Sequence, residues 1–261
     1  MEGFSVRQIS RYSKHSRDKI YRIINHWLSK SPKGNFTNLK KQKYLIFDGT
    51  FLHRPVSILA LMDGDTNSII DGKYGLRENS TSHLTSFLKP LRERGLSPIS
   101  CTTDGNPQAL KTLKDIWPDI TIQRCLVHIQ RQGLMWCRQA PKRVDARKLR
   151  SIFLKATYIR NKKEKDNFLK ELSEWEFKYG KDIKTRPGKG RVFSDLKRAR
   201  SMLLKALPNM FHYLENPNIP STTNALEGYF SRLKRHYGNH RGLAEEKRSN
   251  YFDWYFNLRP K

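Results

Sequence analysis

Acidic residues, cysteines and long apolar runs are all scarce in this sequence of 261 residues. Only 24 Asp and Glu stand against 51 Lys and Arg, which gives a formal net charge of +27. Three cysteines are too few for a disulfide framework and are typical of a reducing cytosol. No stretch is apolar enough to predict a membrane span, and the first residues lack the charged-then-apolar pattern of a signal peptide. We therefore expect a cytoplasmic protein with no membrane partner.

The excess of positive charge indicates a polyanionic partner, because self-repulsion of this size is tolerable mainly when nucleic acid neutralises it. Residues 131–165 contain twelve Lys or Arg and two acids, and the first 43 residues contain eleven and two. Between Tyr44 and Asn79 the chain is nearly neutral and rich in β-formers. This pattern favours a neutral catalytic sheet with basic attachments, although a structural nucleic-acid protein is also compatible with the charge alone. If the protein is bacterial, we expect it at the nucleoid.

The first 30 residues contain two short helical patterns that are separated by a break at residues 14–16. The second pattern has an apolar stripe that ends at Trp27, and Ser16 is a suitable N-cap for it. Its other face is basic, which predicts a helix-turn-helix whose DNA-binding residues are Arg17, Lys19 and Arg22. An ordinary helical hairpin with a solvated basic face is the alternative. Residues 31–43 are interpreted as a polar linker.

Residues 44–125 contain β-rich runs and helical patterns in a clear order. Three strands come first, followed by a helix, a strand, a helix and a strand. The predicted bounds are Tyr44–Leu52, Val56–Met62, Ser68–Tyr74, Ser82–Arg94, Pro98–Thr103, Pro107–Trp117 and Ile120–Cys125. From Leu126 to about Leu214 the pattern is helical and basic, with breaks at Pro141 and near residues 186–188. A last clear helix is predicted from Ala225 to about Tyr237.

Two aspartates lie where catalytic carboxylates are common. Asp48 interrupts an apolar strand, where an ionised side chain needs a reason because burying it unpaired is costly. Asp104 ends the fourth strand, where open α/β sheets tend to place their sites, and strands one and four can lie side by side. Asp-Gly is also a strong hairpin signal. Asp63 and Asp71 are interpreted as plain turns, and a turn or a helix cap is the alternative for Asp104.

A third carboxylate lies in the last predicted helix. Glu227 and Lys234 are seven residues apart, so they share one helix face, although a solvated Glu–Lys pattern is the alternative. Two divalent ions held by hard oxygen ligands commonly serve phosphodiester cleavage. Three basic residues of the same helix are expected to hold DNA phosphates by charge: Arg232, Lys234 and Arg235.

The segments FDGTF, TTDG, Cys125-Leu-Val-His128 and NALEGYFSRLK are together similar to Mutator-like DDE transposases and their bacterial insertion-sequence relatives, over roughly residues 44–237. The resemblance implies an α/β fold: a ribonuclease-H-like catalytic domain with an all-α insertion, preceded by a small helical, helix-turn-helix-like segment. It implies that Asp48, Asp104 and Glu227 are the catalytic triad and hold two Mg²⁺ or Mn²⁺ ions. It also implies metal-dependent cleavage at element ends and strand transfer to target DNA, with a homo-oligomer assembled on the DNA.

The predicted domain boundaries follow from these assignments. They are 1–30 for the helix-turn-helix-like segment, 31–43 for the linker, 44–130 for the first part of the core, 131–218 for the basic helical insertion, and 219–261 for the final helix and C-terminal tail. Relatives often have more DNA-binding sequence upstream, which indicates a short or truncated member.

Cys125 and His128 form a Cys-x-x-His pair that could supply half of a tetrahedral zinc site. No second ligand pair follows at a suitable spacing. The resemblance makes the pair a motif adjacent to the active site, and core packing at a strand end is the alternative. Two other functions remain compatible with the sequence: a ribonuclease-H-like nuclease that acts by hydrolysis only, and a domesticated DNA-binding regulator whose carboxylates no longer act.

Overall fold

The computed structural model describes residues 3–32, 39–185, 191–240, 242–259 and 261. It is an α/β protein with a five-stranded mixed sheet in the order β3-β2-β1-β4-β5. The strands are β1 (Tyr44–His53), β2 (Val56–Asp63), β3 (Ile69–Leu76), β4 (Ser100–Thr103) and β5 (Thr121–Arg124). The helices are α1 (Val6–Ser13), α2 (Arg17–Leu28), α3 (Thr81–Glu93), α4 (Pro107–Ile116), α5 (Leu126–Cys137), α6 (Val144–Lys155), α7 (Lys162–Trp175), α8 (Lys181–Thr185), α9 (Arg191–Ala206), α10 (Asn224–Tyr237) and α11 (Glu245–Leu258).

The predicted strands and helices of residues 44–125, and the predicted helix that contains Glu227, are confirmed to within a few residues. The break predicted near residues 186–188 lies outside the described residues, as does part of the predicted linker. None of the helices in the described ranges is long and apolar enough to cross a lipid bilayer.

The chain forms two compact units, and their boundary passes through β4. The first comprises Met1–Cys101, Asn106–Ile120 and Asn224–Lys261, and the second comprises Thr102–Gly105 and Thr121–Thr223.

The first unit is built on β1, β2 and β3, which pair in antiparallel fashion. β4 begins beside the start of β1, because the carbonyl oxygen of Lys43 accepts hydrogen bonds from the amides of Ile99 (2.8 Å) and Ser100 (3.2 Å). Since both strands start at the same end of the sheet, they run in the same direction. Nearly all of β2 is buried, as expected for a strand that is covered on both faces.

The two faces of this sheet pack against different helices. Phe47 meets Phe87 of α3, with ring centroids 6.4 Å apart. The neighbouring side chains Ile46, Ala60 and Met62 belong instead to the core cluster that contains residues of α10 and α11. Because side chains alternate along a strand, Asp48 shares the α10 side with Ile46.

The segment after residue 237 was predicted as a C-terminal tail, but it contains a further helix, α11, which is the first correction. Tyr251, Phe252, Tyr255 and Phe256 of this helix are buried in the core. Its aromatic residues are not confined to one narrow stripe, so the 3.6-residue periodicity that indicates an amphipathic helix is weak.

The second correction concerns Asp71 and Gly72, which were interpreted as a turn. Both lie inside β3, opposite Leu61 and Ala60. A Cβ atom at Gly72 would lie 2.5 Å from the ring of Phe256. Only glycine at this position therefore allows the Phe256 ring of α11 to pack this closely on β3. The turn at Asp63 is confirmed, because its carboxylate accepts hydrogen bonds from the Thr66 amide (3.1 Å) and hydroxyl (2.5 Å).

The N-terminal segment forms the two predicted helices. Ser5 begins α1 in a capping box, and the Ser16 hydroxyl accepts a hydrogen bond from the Lys19 amide at the start of α2. Leu28 of α2 belongs to the core cluster of the first unit. The carbonyl oxygen of Trp27 accepts a hydrogen bond from the Trp254 indole at 3.0 Å. The helix pair is therefore part of the first unit.

The second unit consists mainly of helices α5 to α9 around a core of its own. The core contains buried residues from each of these helices, among them Ile129, Phe153, Phe168, Ile183 and Leu203. A Cβ atom at Gly133 would overlap the ring of Phe153, so α5 and α6 approach closely at this point. The exposed faces carry many Lys and Arg residues.

Candidate functional site

In the first unit, Asp48 of β1 and Glu227 of α10 bring their carboxylates together. One oxygen of Asp48 lies within 4.8 Å of one oxygen of Glu227. Glu78, which precedes α3, likewise lies within 4.8 Å of Asp48. A loop carboxylate and a helix carboxylate thus each approach the Asp48 carboxylate, and Asp48 is central because it is close to both of the others.

The strand environment explains how Asp48 is held. Its side chain is only 5% exposed, and its Oδ1 accepts a hydrogen bond of 2.8 Å from the Gly49 amide. Ala60 lies opposite on β2 and leaves room for the carboxylate. A Cβ atom at Gly49 would come within 3.0 Å of the Glu78 carboxyl group, so the glycine makes space for Glu78 beside the strand.

Asp104 belongs to the second unit, where it follows β4 directly. The backbone oxygen of Asp104 accepts a hydrogen bond of 3.0 Å from the Arg124 guanidinium, and the Thr103 oxygen accepts one of 2.8 Å from the Cys125 amide. Gly105 has a φ of +94°, a left-handed conformation that favours glycine. The chain therefore turns sharply after Asp104 and is fixed against the end of β5.

Cys125 and His128 hold Thr223, the residue that precedes α10 in the chain. The Cys125 sulfur accepts hydrogen bonds from the Thr223 amide (3.3 Å) and hydroxyl (3.4 Å). Nδ1 of His128 also lies 3.4 Å from the Thr223 hydroxyl. The Leu126 amide donates to the Ser221 carbonyl at 3.1 Å. The Cys-x-x-His motif therefore fixes the segment that leads into the helix containing Glu227.

The surroundings of Cys125 favour its ionised form. Burial raises the pKa of the thiol, but hydrogen bonds from His128 and Thr223 lower it by more than burial raises it. The net result is a pKa below the ordinary value. Among the described residues, no group of three possible metal ligands includes Cys125. Cys125 thus has the contacts of an internal anchor.

The predicted DNA-binding residues lie on exposed helix faces of the first unit. Arg17, Lys19 and Arg22 are exposed on α2. Arg232, Lys234 and Arg235 are exposed on α10, where the Arg232 guanidinium lies 5.7 Å from the centre of the Tyr229 ring. Partial burial lowers the pKa of Lys234, whose ammonium group belongs to the last turn of α10.

The donor set of the first unit suits a hard divalent cation. All three groups offer carboxylate oxygens, the ligands that Mg²⁺ and Mn²⁺ prefer. Two oxygens bound on opposite sides of one Mg²⁺ at about 2.1 Å are about 4.2 Å apart, and Asp48 lies within 4.8 Å of each of the other two carboxylates. The geometry and the chemistry of these side chains therefore fit a metal centre.

Two polar residues of these sites were missed by the sequence analysis. Glu78 lies in a short loop before a capping serine, and loop glutamates are too common to signal a site. Arg124 at the end of β5 is only 9% exposed. The sequence did contain one signal for Arg124, which lies close to the apolar residues Ile122 and Cys125 in a predicted strand. An arginine that is buried in such a strand needs a polar partner.

The family of the protein follows from comparison with known sequences. A family model described as "Transposase, Mutator family" matches residues 48–245, a range that begins at Asp48 and contains Glu227 and Asp104. No curated protein sequence is significantly similar to the chain. Because the matched range covers most of the 261 residues, the chain belongs to the Mutator family of transposases.

Proposed function

We propose that this transposase is a DDE-type enzyme that cleaves DNA at the ends of a mobile element and joins the freed ends to target DNA. Asp48, Asp104 and Glu227 are its catalytic carboxylates. The observation that carries the proposal is the approach of Asp48 and Glu227 to within 4.8 Å. These residues come from β1 and α10, which lie far apart in the sequence, and such convergence is the arrangement that a shared divalent ion requires.

The position of Asp104 supports its place in the same centre. β1 and β4 are neighbours in the sheet, and the Lys43 oxygen accepts hydrogen bonds from Ile99 and Ser100 where β4 begins. Asp48 lies as many residues beyond Lys43 as Asp104 lies beyond Ile99. Strands that start together advance at a similar rise per residue, so this count supports the inclusion of Asp104 with Asp48.

Each carboxylate has a distinct task in this proposal. Asp48 is the central ligand, because its buried position fixes the direction of its oxygens, and Glu227 and Asp104 complete the set. When bound, two Mg²⁺ or Mn²⁺ ions activate the attacking oxygen and stabilise the leaving oxygen at phosphorus. Arg232, Lys234 and Arg235 hold DNA phosphates beside the reacting bond by charge.

The order of three antiparallel strands followed by two strands that are reached through helices supports a ribonuclease-H-like core, with the helices of residues 131–218 as its insertion. The exposed cations of α2 supply preference for element ends, and the basic insertion binds DNA of any sequence. The enzyme acts as a homo-oligomer on DNA in the cytoplasm.

The decisive assay measures joining as well as cutting. Purified protein is incubated with Mg²⁺, a supercoiled plasmid, and labelled DNA fragments taken from the sequences that flank the coding region. A transposase transfers the label to the plasmid. Cleavage without transfer supports a nuclease that acts by hydrolysis only. DNA binding without metal-dependent cleavage supports a regulator whose carboxylates do not act, and either result contradicts the proposal.

A further inference from the structure

Arg124 is a buried cation at the end of β5 in the second unit. Its side chain is only 9% exposed, and burial lowers the pKa of its guanidinium while the charge of Asp104 raises it. Removing a charged group from water is costly unless specific interactions compensate. The position of Arg124 therefore needs an explanation that packing alone does not give.

The contacts of Arg124 converge on the turn that follows β4. One guanidinium nitrogen donates a hydrogen bond of 3.0 Å to the backbone oxygen of Asp104. The planar group lies directly against Gly105, where an added Cβ atom would overlap the guanidinium carbon. The next residue, Cys125, donates its amide to Thr103 at 2.8 Å. Arg124 at the end of β5 and Cys125 directly after it thus hold Asp104 and Thr103, where β4 ends and the chain turns.

This contact acts on the backbone of Asp104 as well as on its charge. Among the described residues, the buried Nε of Arg124 has no hydrogen-bond partner, and a terminal nitrogen of the guanidinium makes the bond to the backbone oxygen of Asp104. A rigid planar cation that bonds to the backbone of Asp104 fixes the direction in which the Asp104 side chain extends from the main chain. Lysine cannot reproduce this, because its ammonium group is a point charge on a flexible stem.

We propose that Arg124 is a positioning residue for Asp104. It fixes the Asp104–Gly105 turn so that the carboxylate points in one direction, and its positive charge offsets the repulsion among carboxylates before metal ions bind. The inference rests on the proposed function, in which Asp104 is a metal ligand together with Asp48 and Glu227. Removing a group that orients a metal ligand typically weakens metal affinity by about 10- to 100-fold.

The test measures Mn²⁺ binding to the full chain by titration calorimetry without DNA. Two variants disturb the contact from opposite sides. Arg124→Lys keeps the charge but loses the planar geometry, whereas Gly105→Ala forces the guanidinium away from the turn and also strains the left-handed backbone of Gly105 itself. Arg92→Lys, at an exposed position on α3, is the matched control. Circular dichroism and thermal unfolding identify the variants that remain folded, so that each comparison uses native protein.

In the folded variants, Arg124→Lys and Gly105→Ala are expected to raise the dissociation constant for Mn²⁺ by about 10- to 100-fold, and raised Mn²⁺ restores DNA cleavage. Arg92→Lys leaves both quantities unchanged. A purely structural role would lower the unfolding temperature without changing the Mn²⁺ affinity of the folded protein, and that result overturns the inference.

Asp104→Asn distinguishes this inference from the proposed function. If Asp104→Asn weakens Mn²⁺ binding while Arg124→Lys and Gly105→Ala do not, the positioning role is wrong and the metal centre stands. If Asp104→Asn binds Mn²⁺ as tightly as the wild type, Asp104 is not a ligand, and the proposed metal centre fails at that residue.

Discussion

The carboxylates of Asp48 and Glu227 lie within 4.8 Å of each other although β1 and α10 are near opposite ends of the chain. The fold brings them together because Asp48 points to the side of the sheet that α10 covers. Ile46, two residues earlier, shares a core cluster with Leu226, Tyr229, Phe230 and Leu233 of that helix. The apolar packing of one helix on one sheet face thus sets the distance between two acids.

The basic face of α2 is expected to give the enzyme its preference for element ends. Deleting the helix would expose the core, because Leu28 is buried in it, so surface changes are the better test. Replacing Arg17, Lys19 and Arg22 with Gln should abolish the preference while leaving metal-dependent nicking of arbitrary DNA. Competition binding between element-end and unrelated DNA measures the effect.

The control for this experiment replaces three exposed basic residues elsewhere in the first unit, Lys89, Arg92 and Lys111, with Gln. It should retain the preference for element ends. If the α2 variant also retains it, the two N-terminal helices are an ordinary helical hairpin rather than a DNA-reading unit.

The helices of the second unit are expected to bind DNA through charge alone. Replacing the exposed residues Lys148, Lys162 and Lys163 with Gln should weaken binding to all sequences by a similar factor. The slope of log K against log salt concentration should become shallower by about 0.9 for each DNA phosphate that the protein no longer neutralises. Fluorescence anisotropy at several salt concentrations measures both quantities, and an unchanged slope would show that these lysines do not bind phosphates.

The close packing of α11 on β3 gives a prediction about stability. Gly72→Ala places a methyl group 2.5 Å from the Phe256 ring, and overpacking of this kind typically costs about 1–3 kcal/mol. Gly228→Ala adds a methyl group in α10 with only Arg232 nearby, at 4.0 Å, and should stabilise the protein by about 0.5–1 kcal/mol because glycine is unfavourable within a helix. Urea unfolding measures both. Equal effects of the two changes would contradict the position of Gly72 under α11.

The thiol of Cys125 is expected to make stability depend on pH. Its pKa is lower in the folded protein than in the unfolded chain, so the unfolded chain binds more protons between the two values. The stabilisation relative to Cys125→Ser is therefore present above the ordinary thiol pKa and is lost as the pH falls through the lowered value. Urea unfolding of both proteins across this range measures the difference.

Cys101 is a control with the opposite sign. Burial raises the pKa of Cys101, so its contribution relative to Cys101→Ser should fall as the pH rises past the ordinary thiol value. If the Cys125 comparison is independent of pH, the thiol of Cys125 is not ionised more readily in the folded protein.

The sequence was sufficient to predict most of the fold of residues 44–125. Alternating and helical periodicities, with turn residues between them, mark each strand and helix of this region, and Ser16 correctly marks the start of α2. α11 was missed because its aromatic side chains do not form a single stripe. Asp71-Gly72 was misinterpreted because the same two residues serve a hairpin turn or a close helix–strand contact, and only the position of Phe256 decides between them.

The candidate site was less predictable than the fold. Asp48 stood out because a charged residue interrupts an apolar strand, and Glu227 because it shares a helix face with Lys234. No sequence pattern marked Glu78 as a site residue, because its closeness to Asp48 depends on the path of the loop between β3 and α3. The role of the Cys125–His128 pair was also invisible, because its partner Thr223 lies in a distant segment and contributes ordinary hydrogen bonds.

Asp48 is proposed as the central ligand of a catalytic metal centre. The most direct measurement is the rate of Mg²⁺-dependent DNA cleavage by Asp48→Asn, compared with Asp115→Asn, an exposed aspartate on α4. Asparagine keeps the shape of the side chain but removes the charge that holds the ion, so the rate should fall by about a thousandfold or more, which corresponds to about 4 kcal/mol. DNA affinity should stay the same or increase, and Asp115→Asn should cut normally. Substantial metal-dependent cleavage by Asp48→Asn, or an equal loss in Asp115→Asn, would contradict the account.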